Sequence, residues 1–424
     1  MMKAHKIWEL KRLFKEIWVR VTLFSLLGLV TALCGLWFNR YVPSDWADLV
    51  GADSVDSILT ILASSMLAVT TFSLNTMLGA YNSVSTNVTP RATQLLIHDQ
   101  TTQNVLSSFV GAFVFSIVGI ISLQAGVYGS RGKVVIFAVT LVVVVVVVIA
   151  LLRWINHLMQ FGRFGEAAQR VENITAKSLK MQAQRPYKNA QLLSENWTVP
   201  TQATAIYGPT NGYLQHIDVE ALVELCTESN QRVFCVTQPG EFITTATVIA
   251  YSLGLKPEQN DVVHDAFVLA VNRSFEQDPC FGLRTLSEIA SRALSAAVND
   301  PGTAINIITR GTRLLANYSA QRQTLNAQSK EQGDCHVFFL QPTDAELFDE
   351  FFTPIARDGA SLIEVMLSLV HALDQLAAVS PQNYAALARE HTDLLVQRAS
   401  LGMVLTYDKA RLQTKADELL NAYE

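Results

Sequence analysis

Apolar positions gather into four unbroken stretches in the first third of the chain: Val21–Phe38, Ile58–Tyr81, Val105–Leu123 and Val134–Leu152. Each is near the roughly 20 residues a helix needs to cross a bilayer. None contains Asp, Glu, Lys, Arg or His. The pattern changes after Leu152. From Arg153 to Gln184 the apolar residues Phe161, Phe164, Ala168, Val171 and Ile174 keep a helical spacing, which predicts that the fourth helix continues as a stalk ending before Pro186. Next come short β-rich runs at Ala203–Ile206, Tyr213–Ile217, Val233–Gln238 and Glu241–Tyr251, set apart by Gly208-Pro209, Gly212 and Pro239-Gly240. A short helix over Asp218–Thr227, capped by Asp218, interrupts them.

Beyond these runs, Asp261–Ser274 and Leu283–Ala297 read as helices and Cys335–Gln341 as a strand. Amphipathic helices are predicted at Ala345–Ala356, Ser361–Ala378, Pro381–Ser400 and Tyr407–Tyr423, suited to bundling or oligomer contacts. The fold class is therefore an α-helical membrane domain of four transmembrane helices plus a cytosolic α+β domain with a small β half-barrel and a helical C-terminal part. Its divisions are a basic interfacial helix (1–20), the membrane domain (21–152), the stalk (153–186), the β-rich domain (187–258) and a mostly helical domain (259–424).

Basic residues set the expected orientation. Lys3, Lys6, Lys11, Arg12, Lys15 and Arg20 precede the first span, and Arg153, Arg163, Arg170, Lys177 and Lys180 follow the fourth. The loop after the first span holds Arg40 against Asp45, Asp48, Asp53 and Asp56. The short turn with Arg131 and Lys133 dissents, but the balance puts both termini in the cytoplasm, across a bacterial inner membrane. In the leader, Ile7, Leu10, Phe14 and Trp18 share a face opposite lysines, which predicts an interfacial helix.

The second span differs from the others. Ser57, Ser64, Thr71 and Asn75 recur at intervals of seven and four, so they stack on one helical face with Ala68 among them. Hydroxyls and an amide seek partners in hydrocarbon. This face is either the lining of a pore or a helix–helix contact made by small and hydroxyl residues. Because no span carries an ionisable relay, ion-coupled transport is disfavoured, whereas a passive channel or a scaffold is not. Between the second and third spans, Thr89-Pro90-Arg91 opens a short surface helix, and Arg91 is a candidate for coupling the membrane and soluble parts.

Composition narrows the chemistry. Charged residues make up only 16% of the chain and the net charge is −5, so no basic footprint points to nucleic acid. Five scattered cysteines form no metal or disulfide spacing and read as reduced structural thiols. No P-loop, GxSxG or HExxH occurs, and His264-Asp265 lacks the other ligands of a metal phosphohydrolase. Neither an enzyme nor a cofactor is expected. The β-rich order is similar to the half-barrel of lipoyl and biotinyl carriers, but no lysine lies between Lys188 and Lys256 to be modified. Two turns open helices with an acidic cap and a proline: Asp278-Pro279, with Arg284 shortly after, and Asn299-Asp300-Pro301. Such turns are structural caps or a polar pocket for an ion or small ligand.

The polar second span, the Thr-Pro-Arg turn, the GYLQHID strand and the stretch QDPCFGLRTLSEIASRALSAAVNDPGTA resemble an uncharacterised bacterial family of predicted membrane proteins, catalogued as a domain of unknown function. That family usually reads Ser-Pro before the NDP, where this chain has Ala296-Ala297. The resemblance covers nearly the whole chain and implies four spans and a cytosolic domain. Four helices per chain enclose little space, so a channel here requires a homo-oligomer in the lipid bilayer, with a small ion or ligand as its cargo or regulator. The alternative is a membrane-anchored sensor or scaffold that transports nothing.

Overall fold

The computed structural model describes residues 17–37, 52–97, 99–126, 130–159, 164–184, 189–194, 197–226, 228–328 and 335–423. The interfacial leader falls, up to residue 16, outside the described residues, as does the loop with Arg40, Asp45 and Asp48. The described residues divide into two compact units, one up to Ala167 and one from Ala168 onward.

The first unit consists of α1 (Ile17–Trp37), α2 (Ala52–Asn87), the short α3 (Pro90–Ile97), α4 (Gln100–Gln124) and α5 (Ser130–Leu158). Among the described residues three helices are long and apolar enough to cross a membrane: Ser54–Thr86, Gln100–Gln124 and Gly132–Leu158. The expected first span corresponds to the 21-residue α1, which is not among these three.

The centre of the unit is α4, which touches α1, α2 and α5. Small residues make the approach close. A Cβ on Gly111 would lie 2.9 Å from the Phe24 carbonyl oxygen of α1, and one on Gly119 would lie 3.0 Å from Leu59 of α2. Leu62, Met66, Phe109, Val147 and Trp154 form one buried cluster, and Val55, Leu59, Phe115 and Ile136 another. Much of the valine run of α5 points outward, including Val142, Val145, Val146 and Val148. At 36 residues, α2 extends about 54 Å by the helical rise, against a hydrocarbon core of about 30 Å. It therefore overshoots the predicted 58–81 at both ends.

In place of a continuous stalk, α5 ends at Leu158 and a separate helix, α6 (Phe164–Gln184), follows. The reason is visible in α6 itself, whose Ala168, Val171, Thr175, Leu179 and Ala183 are buried. Glu172 accepts from Arg310 Nη1 at 2.6 Å and from Arg313 Nε at 2.8 Å, so α6 is fastened to the second unit. Gly282 stands where any Cβ would collide with Thr175.

The β part is two sheets. The strands are β1 (Ala190–Leu192), β2 (Thr204–Tyr207), β3 (Gly212–Ile217), β4 (Arg232–Cys235), β5 (Phe242–Ile243), β6 (Val248–Leu253), β7 (Phe267–Ala270) and β8 (Val337–Phe339), with α7 (Val219–Leu225) and α8 (Asn260–Ala266) between them. A five-stranded sheet runs β1-β8-β4-β6-β2 and a three-stranded one β5-β3-β7. Two expectations are corrected. Residues 187–258 are not a self-contained half-barrel, because β8 enters from beyond residue 330 and pairs in parallel with β4 (Val233↔Val337) and with β1 (Ala190↔Val337). The predicted helix Asp261–Ser274 stops at Ala266, and Phe267–Ala270 pairs antiparallel with β3 instead. Pairing with a waiting edge overrides local helical spacing there. Leu214, Leu222, Val233, Ile249, Val263 and Val337 are part of the common core. The Pro239-Gly240 turn places Gly240 at φ +102, a conformation that favours glycine.

The remainder is helical: α9 (Pro279–Ala293), α10 (Pro301–Gln328), α11 (Asp344–Asp358), α12 (Ile363–Val379), α13 (Pro381–Gly402) and α14 (Thr406–Ala422). Phe348, Phe352, Tyr384 and His391 pack as tilted rings with centroids 5.0–6.0 Å apart. Gly311 of α10 leaves room for the Phe351 ring, which a Cβ would enter.

Candidate functional site

The four polar positions of α2 share one face, and that face is exposed on the first unit. Ser57, Ser64, Thr71 and Asn75 are all solvent-facing, together with Thr60 and Ala68. On the opposite side Val55, Leu59, Leu62, Ala63, Met66 and Met77 are buried. The two faces follow from a 3.6-residue period carried through five turns. Large apolar residues flank the polar row, with Ile61, Leu67 and Phe72 each more than half exposed.

Hydroxyls on this helix turn back on its own backbone. Ser64 donates to the Thr60 carbonyl at 2.9 Å and Thr71 to that of Leu67 at 2.9 Å. Ser65, Thr70 and Thr76 do the same to Ile61, Met66 and Phe72. Their protons are thereby satisfied while their oxygens keep a free lone pair toward the exposed side. Asn75 differs: its amide has no hydrogen-bond partner among the described residues. An amide offers two donors and an acceptor, and hydrocarbon meets none of them.

A second polar cluster was not foreseen. Asp99 is buried and caps α4: its Oδ2 accepts from the Thr102 N–H at 2.8 Å and from the Thr102 hydroxyl at 2.6 Å. His157 Nε2, in the last turn of α5, lies 3.0 Å from the same Oδ2 and 3.1 Å from Thr102 Oγ1. The cluster ties the start of α4 to the end of α5. Asp99 and Thr102 have cap spacing in the sequence, which is a usable signal, but nothing local points to a histidine 55 residues on. Arg91 lies on the exposed side of α3, where its N–H approaches Thr89 Oγ1 at 3.4 Å.

In the second unit the two acidic turns act as caps. Asp278 Oδ1 accepts from the Phe281 N–H at 2.9 Å, and Oδ2 from Arg273 Nε at 2.8 Å. The Arg273 guanidinium also sits 5.0 Å above the Phe281 ring. Burial pushes the Asp278 carboxyl up from its ordinary range, and Arg273 with the Phe281 N–H pulls it back. Gly240 packs so closely that a Cβ would touch this carboxylate. The helix start is thus filled by the chain's own anion. Just before it, Gln277 accepts from the Ile217 N–H at 3.0 Å and so fastens the segment to β3.

Arg284 makes a paired contact with Glu350, Nη2 to Oε1 at 2.6 Å, across an open cleft of about 530 Å³ between α9 and α11. Glu288, Asp349 and Arg357 also line the cleft, so charges of both signs face it. Asn299 takes φ +49, and Asp300 caps α10 through the Thr303 N–H at 3.0 Å and the Thr303 hydroxyl at 2.6 Å. Those two bonds hold the exposed Asp300 carboxyl below its usual value. Asp278 and Asn299 lie beyond opposite ends of α9, a 15-residue helix about 22 Å long, so they do not share one pocket.

Among the described residues no group of three or more His, Cys, Asp or Glu side chains is arranged to hold a metal. His264 contacts the Tyr207 carbonyl at 3.1 Å. Burial raises the thiols of Cys226 to about 11 and Cys235 to about 12, so both stay protonated and unreactive at neutral pH.

Comparison with known proteins adds a family and no activity. A family model described as predicted membrane protein (DUF2254) matches residues 15–375. An uncharacterised protein from Mycobacterium bovis and another from Mycobacterium tuberculosis are each 27% identical over 187 residues, 42% of this chain. The chain matches only about a third, 36%, of the length of those relatives. No solved structure matches.

Proposed function

This chain belongs to the DUF2254 family of predicted membrane proteins, and from that premise we propose that it is an oligomeric passive channel for small ions, with its second unit as a cytosolic regulatory domain. Several copies come together with the polar faces of α2 toward a common axis. Ser57, Ser64, Thr71 and Asn75 line the path. The observation that carries this reading is Asn75: an amide within a membrane-spanning helix, exposed on the single chain and without a partner among the described residues. In lipid that amide stays unsatisfied, whereas a water-filled path or a second copy satisfies it. In this reading α1 crosses as a fourth span and both termini are cytoplasmic at a bacterial inner membrane. Arg91 couples the two units, and no catalytic step is involved.

One feature favours a second reading. Ser64 and Thr71 of the polar row already bond their own backbone, as hydroxyls do where helices pack face to face. If copies close on that row without leaving a path, the protein is a membrane-anchored sensor or scaffold. Ion flux into liposomes carrying the purified chain separates the two. Flux that Thr71→Leu and Asn75→Leu both alter supports the channel. Absence of flux from a folded oligomer supports the scaffold, and a stable monomer in detergent overturns both arrangements around α2.

A further inference from the structure

The turn joining α13 to α14 presents an apolar tip. Leu401 is 90% exposed, Val404 97%, Leu405 58% and Tyr407 69%, within seven residues. The tip is firmly held. Met403 is buried and its N–H donates to the Ala399 carbonyl at 2.8 Å. Gly402 packs on Ala360, and Lys409 closes the turn through its N–H to Leu405 and its Nζ to the Ser400 carbonyl at 2.7 Å. The apolar side chains are therefore displayed by a fixed scaffold. Arg398, Lys409 and Arg411 flank them along the chain, against the lone acid Asp408 between residues 398 and 411.

We propose that this tip is a membrane-contact site, in which Leu401, Val404, Leu405 and Tyr407 enter the interfacial layer of an anionic bilayer leaflet and the flanking basic residues meet lipid phosphates. Apolar side chains with a tyrosine, bordered by cations, match the chemistry of an interfacial anchor. The occupant is lipid rather than a second copy because the tip is too small. A stable protein interface needs roughly 20–30 residues a side, and here four large apolar side chains stand out from one turn. The chain's own membrane helices tether it to a bilayer, which keeps the effective concentration of lipid high and makes a small contact sufficient. The inference rests on membrane attachment alone and stands apart from conduction.

The test uses the full chain in vesicles containing an anionic lipid. A Val404→Cys variant, with Cys34 and Cys335 replaced by Ser, is labelled with an environment-sensitive fluorophore, and Glu220→Cys on α7 serves as the reference position. A blue-shifted emission at 404 that brominated lipids quench, with no quenching at 220, is the expected result. Quenching at 404 weakens in zwitterionic vesicles and in Arg411→Gln. Emission at 404 that brominated lipid leaves unchanged overturns the proposal. So does disulfide cross-linking between two copies through Cys at 404, which assigns the tip to a second copy. Ion flux measured on the same vesicles is independent: its absence sinks the channel and leaves the quenching result standing.

Discussion

The two units share short-range hydroxyl bonds and differ in the long-range charge pairs of the second. In the membrane unit Ser64, Ser65, Thr70, Thr71 and Thr76 of α2 turn back four residues onto their own helix, as Thr285 and Thr312 do in the second unit. In the second unit Glu172 meets Arg310 and Arg313 from 138 and 141 residues away, and Arg284 meets Glu350 from 66. A helix inserted in hydrocarbon must be nearly satisfied before it meets a neighbour. Charged side chains instead stay in water until folding brings partners together, so they can specify tertiary structure.

If that contrast holds, removing a long-range group costs far more than removing a local one. Glu172→Ala strands two guanidiniums, and because Arg313 is half exposed the loss is expected near the lower end of about 3–5 kcal/mol. Chemical unfolding of the second unit, followed by limited proteolysis of the full chain, reads it. A loss under about 1 kcal/mol would mean that water already serves this site. Gly311→Ala drives a methyl into the Phe351 ring and is expected to cost up to about 3 kcal/mol by the same assay.

Asp99→Ala tests the exception inside the membrane unit, where a side chain does bridge two helices. Loss of its cap and of the His157 contact is expected to cost about 1–2 kcal/mol, seen as a lower melting temperature in detergent. Acid sharpens the comparison from the other side. Burial holds His216 and His391 below their ordinary value near 6.5, against the pull of Asp218 and Asp349. The unfolded chain therefore takes up protons at these sites before the folded one does. Their contribution is complete above about pH 6.5 and is lost as pH falls through the folded values. The melting temperature should hold from pH 8 to 7 and drop below 6.5, with a shallower drop in His391→Gln. Smallest of all, Thr71→Val removes a hydroxyl already bonded within its own helix, and its effect on stability should stay within about 0.6 kcal/mol. A larger loss would place Thr71 in a contact between copies.

Local chemistry was legible in the sequence, and distant pairing was not. Asp218, Asp278 and Asp300 announce themselves as caps because the bonds they make reach only three residues ahead. The four C-terminal helices declare their limits through apolar spacing and through Pro381. By contrast, Phe267–Ala270 continues a helical spacing and becomes a strand only because β3 presents an edge. The bonds of His157 to Asp99 and of Glu172 to Arg310 likewise depend on which helices pack together. The polar row of α2 was visible as a row; that it faces away from the other helices needed the packing of α4 to show it.

The position of β8 has a consequence for synthesis. It is the strand between β1 and β4, yet it lies about 100 residues downstream of Cys235. At a ribosomal pace of roughly 5–20 residues per second, β4 waits on the order of 5–20 s with Val233 and Phe234 along an unpaired edge. Through that interval the nascent protein is already being threaded into a bilayer by its earlier helices. The sheet closes only once β8 is made, so a chaperone guarding the β4 edge would act on this protein after its insertion has begun.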